Sequence, residues 1–266
     1  MMRKITIRQI ATTFTFFWIS FILPLGDTGI CQQGREDNLA TVRELEAAGE
    51  FDRALQILQP LMQNDPDDYG LLCWMAEIQL GRSEVILRDV SPQEAKAVCQ
   101  EAVRYARRAA EVEPDSAWGW FQVGQTTGML SKLPGGRETV EMAAEAKSAF
   151  ERAISIDPDY TSAIHGLARW HHAVANLSGA MKMAAKVFYG GLPSASNEEA
   201  VRLFQRAIRL EPDVILHHLE LGKTYLEMRE KALARAEFET VLRLPVVYHL
   251  DPSRKETARR LLSEMR

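Results

Sequence analysis

Histidines and cysteines are the residues of this chain best suited to metal or nucleophilic chemistry. His171-His172 and His217-His218 form two adjacent pairs, and imidazole nitrogens are common metal ligands. Neighbouring residues on a helix point about 100° apart, so neither pair chelates alone. His165 and His172 could share a helical face, but no acidic or cysteine partner accompanies them at ligand spacing. Neither a metal nor another cofactor is expected. Cys31, Cys73 and Cys99 show no metal or redox spacing. Cys73 and Cys99 fall on neighbouring predicted helices and read either as a disulfide in an oxidising compartment or as two buried thiols. Gly135-Gly136 and Gly190-Gly191 lack the spacing and the lysine of a phosphate loop. Neither Gly-x-Ser-x-Gly nor His-Glu-x-x-His occurs. No residue is assigned a catalytic role, so the chain reads as a binding protein and not an enzyme.

The elements that would position any binding residues are announced by a repeat. Ala102-Ala106-Ala109-Pro114, Ala146-Phe150-Ala153-Pro158 and Ala200-Phe204-Ala207-Pro212 share one spacing. Ala54-Leu58-Leu61-Pro66 is a degenerate first copy, and Ala234-Phe238-Val241 a fifth whose proline, Pro245, comes one residue early. Small, large and small apolar residues at steps of four and three mark one stripe of a helix. The proline cannot continue that helix and separates one unit from the next. Asp65, Glu113, Asp157 and Glu211 precede the first four prolines, where an acid suits the first turn of a following helix. A small residue lies ten positions after each of these prolines: Ala76, Gly124, Ala168 and Gly222. Around them the chain reads Trp120-x2-Val123-Gly124 and Leu221-Gly222-x2-Tyr225. This resembles the first helix of a tetratricopeptide repeat, whose small residue admits the second helix closely. The resemblance covers about residues 38–246 and implies an all-α solenoid of about five helical hairpins.

From each small residue to the next alanine of the stripe the distance is 26, 22, 32 and 12 residues. Only the last fits the regular 34-residue unit. The middle three hairpins therefore carry long insertions, expected at the turn between their two helices. Leu133-Pro134-Gly135-Gly136 and Gly190-Gly191-Leu192-Pro193-Ser194 supply turns there, and residues 179–189 read as an extra helix packing over the solenoid end. Residues 251–266 read as a C-terminal capping helix that seals the stacked core. In such a solenoid the first helix of each pair lines the inner surface. Helical stepping from the small residues selects Trp118, Phe121 and Gln125, then His165, Arg169 and His172, then Leu219 and Lys223 as a partner-binding groove. An apolar wall beside a cationic one suits an extended or helical peptide, or an amphiphile with an anionic head.

The remaining composition narrows the class. A formal net charge of −4 offers no basic footprint for nucleic acid. The first 31 residues differ from the rest: Arg3, Lys4 and Arg8 precede an apolar run from Ile10 to Leu25. That is the layout of a secretory signal. The alternatives are an uncleaved membrane anchor or a lipid attachment at Cys31, although Ile30 fits poorly before a lipidated cysteine. The expected organisation is thus a signal or anchor over 1–31, a solenoid over 32–250 and a cap over 251–266. The solenoid would be exported, periplasmic or membrane-anchored, on an organelle membrane if the chain is eukaryotic.

One stretch is more specific. Trp170, Ala173, Val174, Ala175, Asn176, Leu177 and Ser178, followed by a basic amphipathic segment and then Pro193, Ser194 and Ala195, resembles the regulator of microtubule dynamics protein family. Leu244-Pro245-Val246-Val247 is similar to that family too, and the resemblance spans about residues 98–250. It implies a helical repeat domain, often behind an N-terminal membrane segment, in proteins associated with microtubules and organelle-membrane contacts. No residue here carries microtubule binding in its own right. The sequence thus points to a non-catalytic scaffold for a protein or peptide partner, the alternative being a carrier of lipid or another hydrophobic ligand.

Overall fold

The computed structural model describes residues 27–133, 136–248 and 250–265, with side chains from residue 35 onward. The signal or anchor expected over 1–31 falls almost wholly outside the described residues; only its last few positions belong to a helix. The described residues form twelve helices: α1 (Asp27–Ala48), α2 (Phe51–Asn64), α3 (Tyr69–Asp89), α4 (Pro92–Val112), α5 (Ala117–Leu130), α6 (Arg137–Ile156), α7 (Thr161–Ala175), α8 (Gly179–Tyr189), α9 (Asn197–Leu210), α10 (Ile215–Glu227), α11 (Lys231–Arg243) and α12 (Asp251–Glu264). None of the described helices is long and apolar enough to cross a membrane.

Residues 39–266 form one compact unit. Within it α3 pairs with α4, α5 with α6, α7 with α9, and α10 with α11. The end of α1 joins α2 and α3 through Val42 and Leu45, which pack with Leu55, Leu58 and Met75. The small–large–small stripe is the core of each second helix: Ala102, Ala106, Ala109, Ala146, Ala153, Ala200, Phe204, Ala207, Ala234, Phe238 and Val241 are fully buried. The glycines of the first helices explain the partnership. A Cβ on Gly124 would sit 2.6 Å from the Phe150 ring, and one on Gly222 2.5 Å from the Phe238 ring. Phe150 also fills the space beside Gly166 of the next hairpin, where a Cβ would come within 2.4 Å. One ring thereby joins two hairpins.

The acids before the prolines do not stand in the first turn of the following helix. Asp65, Glu113, Asp157 and Glu211 cap the preceding helix, their backbone N–H groups bonding to Leu61, Ala109, Ala153 and Ala207. The proline and its successor make the turn, and the next helix starts three residues after the proline. The insertions also differ from expectation. Between α3 and α4 only Val90 and Ser91 are non-helical, because both helices have lengthened to 21 residues. In the next hairpin α6 has lengthened to 20 residues, and the described residues between α5 and α6 are non-helical. Only the third insertion builds the separate helix α8, with the bounds read from the sequence. It packs beside α6 and not over a solenoid end. Its base is clasped by a reciprocal amide pair, Asn176 Nδ2 to Asn197 Oδ1 at 2.8 Å and Asn197 Nδ2 to Asn176 Oδ1 at 3.1 Å.

At the far end, α12 packs on α10 and α11 with Ala258 fully buried, as a cap does. Asp251, 1% exposed, accepts from the backbone N–H groups of Val247 and Tyr248 and pairs with Arg254 at 2.8 Å. Cys73 and Cys99 are buried free thiols, both pushed up to about 12, chiefly by burial.

Candidate functional site: a polarised inner groove

The first helices touch one another in series, α3 to α5, α5 to α7, and α7 to α10. They therefore form the inner row of the solenoid. One register faces outward from that row into the groove: the residue just after each small position, namely Glu77, Gln125, Arg169 and Lys223, which are half-buried to exposed. Helical steps from it add Trp74, Glu84, Gln122, Lys132, His172 and Glu220 to the same face.

The α3–α5 end of this face is aromatic and acidic. The Trp118 ring meets Tyr69 and Trp74 edge-on, each at 5.9 Å between centroids. Phe121 meets Tyr160 edge-on at 5.5 Å. Such pairings suit the ring quadrupole. The guanidinium of Arg43 lies 5.7 Å from the Trp74 centroid. Glu77 accepts a hydrogen bond from Gln122 Nε2 at 2.9 Å. Burial pushes its carboxyl up to about 7, against the Gln122 hydrogen bond, and Glu46 adds to the rise. Tyr160 is also raised, first by burial and then by the charge of Glu77.

The α7–α10 end is cationic. Lys132 follows α5, open to water yet set between protein walls. Loss of bulk solvent around it and the charge of Arg169 bring its ammonium down to about 8, against Glu84 and Glu220. Glu220 pairs with Lys223 at 2.7 Å. Burial pushes its carboxyl up, but Arg169 and Lys223 more than offset that and hold it below its ordinary value. His172 Nδ1 lies 3.1 Å from Thr224 Oγ1, and burial lowers its pKa.

Six of the eight expected groove residues lie on or beside this face. Trp118, Phe121, Gln125, His172 and Lys223 are half-buried and Arg169 is exposed. Leu219 and His165 are corrections: they are 3% and 7% exposed and belong to the core around Phe204 and Ile215. Both stand three residues before the small position, as do fully buried Cys73 and half-buried Phe121, a register that turns aside from the face of Glu77, Gln125, Arg169 and Lys223. Glu77, Gln122, Lys132 and Glu220 were not among the expected residues. Glu77 was legible, since it follows Ala76 as Arg169 follows Ala168. Lys132 was hidden because it lies in the turn after α5, beyond the helix from which the other positions step.

The histidine pairs are dispersed into separate contacts. His218 donates from Nε2 to the Pro212 carbonyl at 2.9 Å and from Nδ1 to Glu237 at 2.7 Å. Burial disfavours its charge, yet these acceptors raise its pKa. His217 faces Glu211 through Nε2 at 3.3 Å and His165 Nδ1 through Nδ1 at 2.9 Å. The carboxylate requires a proton on His217 Nε2, so His165 donates the shared Nδ1 bond. His165 Nε2 and His171 Nδ1 are buried without hydrogen-bond partners. No group of three potential metal ligands occurs among the described residues.

The model of the family "Regulator of microtubule dynamics protein 1-3" matches residues 38–266. The chain belongs to this family. Regulator of microtubule dynamics protein 1 of Mus musculus is 30% identical over 202 residues, 75% of this chain and 64% of the relative. The Bos taurus protein of the same name is 30% identical over 75% of this chain and 62% of its own length. The chain thus spans less than two thirds of these relatives. The Caenorhabditis elegans relative is 24% identical and covered over 91% of its length. Among solved structures, a thermophilic TPR protein from Thermus thermophilus superposes with a TM-score of 0.63 at 18% identity, over 85% of this chain and 98% of its own. That likeness establishes the tetratricopeptide-type fold. In this member of the regulator of microtubule dynamics family, the stretch that carried the resemblance supports the array: buried Trp170 donates to the Ala143 carbonyl at 2.6 Å, and Asn176 clasps the α8 insertion.

Proposed function

We propose that this protein is a non-catalytic scaffold whose inner groove binds a protein or peptide partner. One observation carries the reading: the register facing the groove changes from Glu77 through Gln125 to Arg169 and Lys223 along a continuous row of first helices. A surface polarised in this way fixes the direction and register of an extended chain laid along it. The basic and apolar start of the chain supports export or anchoring at a membrane, which would present the groove to partners there.

Arg169→Glu with Lys223→Glu tests the reading. Full-length wild type and variant are compared in a pull-down from a detergent-solubilised membrane extract, analysed for proteins and lipids together. A specific protein released by the variant, with helicity retained despite the lower Tm expected once Glu220 loses both cations, is the expected result. Partners retained in full by the variant would overturn the groove assignment.

A second reading, a carrier of lipid or another hydrophobic ligand, rests on α8. Its Met181, Met183, Val187 and Phe188 are exposed, and Lys182 and Lys186 line a cavity of about 400 Å³ beside Gly190 and Gly191. Stoichiometric lipid in native mass spectra of gently purified protein would favour it. Ligand-free spectra would exclude it.

A further inference from the structure

The partner's chemistry can be specified at the aromatic end of the groove. Here Glu77 is half-buried on α3 and has one hydrogen-bond donor, Gln122 Nε2 at 2.9 Å. Gln122 is itself fully buried and held in place, with Gln125 donating to its amide oxygen. Around Glu77 stand Trp74 one turn earlier on the same helix, Trp118 edge-on to Trp74, and Tyr160, whose proton affinity the charge of Glu77 raises. Glu46 of α1 brings a second carboxylate. No cation is among the groups of the described residues that set the proton affinity of Glu77. The rings do accept cations, as Arg43 over Trp74 demonstrates. An electron-rich wall around a partly desolvated carboxylate is the arrangement that binds a cationic side chain, the ring faces and the carboxylate acting together.

We propose that Glu77, walled by Trp74, Trp118 and Tyr160, receives the side chain of an arginine or lysine from a peptide lying in the groove. The inference rests on the scaffold reading and assigns the polarity of its ligand. The basic residue of the partner lies against α3 and α5, and its acidic or carboxylate group lies toward Lys132, Arg169 and Lys223. Arriving as a cation, the side chain removes the penalty of the desolvated carboxylate. Binding therefore ionises Glu77.

The test is a titration of the full chain with Nα-acetyl-arginine amide, with neutral Nα-acetyl-citrulline amide as control. It is read by the ¹³C carboxyl resonance of Glu77 and the indole resonances of Trp74 and Trp118. The expected result is a saturable shift with arginine only, a fall in the Glu77 midpoint from about 7 toward the ordinary glutamate range, and an affinity at least about tenfold weaker in Glu77→Gln. Glu77→Gln keeps the shape of the side chain, and its helicity and Tm report folding directly. Equal shifts with citrulline, an unmoved Glu77 midpoint, or undiminished arginine binding by a folded Glu77→Gln variant would each overturn the proposal. The pull-down separates the two readings. A negative titration beside a partner released by Arg169→Glu with Lys223→Glu removes the cation site and leaves the scaffold. A positive titration beside an unaffected partner does the reverse.

Discussion

At the scale of single residues, the buried histidines set how the protein responds to acid. The chain Glu211–His217–His165 works only with one proton on each ring, because two Nδ1–H groups cannot face each other at 2.9 Å. Burial lowers both pKa values first of all; for His165 the neighbouring His217, Arg169 and Arg254 lower it further, while Glu211 partly opposes the shift at His217. His171 and His172 are lowered by burial as well. A histidine whose folded pKa lies below its unfolded value binds fewer protons when folded. Its stabilisation is complete above about pH 6.5 and drains away as pH falls toward the folded pKa. His218 and Glu77, both raised, oppose this slope, the Glu77 carboxyl taking up a proton in the folded state over the same range. In a Glu77→Gln background the Tm should therefore fall between pH 7 and pH 5. With His217→Asn added the fall should be shallower but not absent, since His171 and His172 remain. Thermal melts in a buffer series check this, and equal slopes in the two proteins would refute the assignment. At this scale the sequence marks the histidines but not their contacts. Adjacency in the chain ruled out chelation, but nothing in it revealed that Pro212 and Glu237 claim one ring of a pair while His165 claims the other.

At the scale of elements, the repeat spacing was legible because it is dictated by packing: a glycine is required wherever Phe150 or Phe238 closes on a first helix. The fate of the insertions was not legible, because added residues can extend a helix, make a loop or build a new helix at similar chain length. A second regularity recurs in phase. Arg108, Arg152 and Arg206 each reach back to the aspartate after the previous turn's proline, Asp67, Asp115 and Asp159, at 2.8, 3.1 and 3.8 Å. The last unit lacks this contact, with Thr240 where the arginine would stand. The two hairpins without insertions share another device. Gly49 and Arg229 adopt left-handed φ angles of 76° and 65°, and the residue after each bonds back to close the turn, Glu50 to Leu45 and Glu230 to Tyr225. Glycine takes that conformation without the Cβ penalty that Arg229 meets. Arg229→Gly should raise stability by roughly 0.5–1 kcal/mol, less the extra entropy of an unfolded glycine. Urea denaturation measures it, and a loss of stability would mean that the Arg229 side chain makes a contact worth more than the strain.

At the scale of the whole array, stability is a chain of neighbour contacts, since each hairpin packs only on the next. The ring of Phe150 is central to that coupling because it fills the gaps beside Gly124 of its own hairpin and Gly166 of the following one. A recurring helical unit was legible from spacing, but this double role was not: Gly166 lies off the small-residue register, and only three-dimensional placement brings it to Phe150. Phe150→Ala should cost about 3–5 kcal/mol. Its distribution is more informative than its size. The cavity opens at the junction of α5, α6 and α7, so hydrogen exchange should accelerate there first. The half containing α9 to α12 lies further along the same continuous core, with Phe204, Phe238 and Val241 fully buried and α12 packed on its end, and should retain protection longest. Urea unfolding followed by exchange should then resolve two transitions where the wild type shows one. A single transition shifted as a whole would show that hairpins further apart are coupled, and that the array folds as one cooperative unit despite its repeat construction.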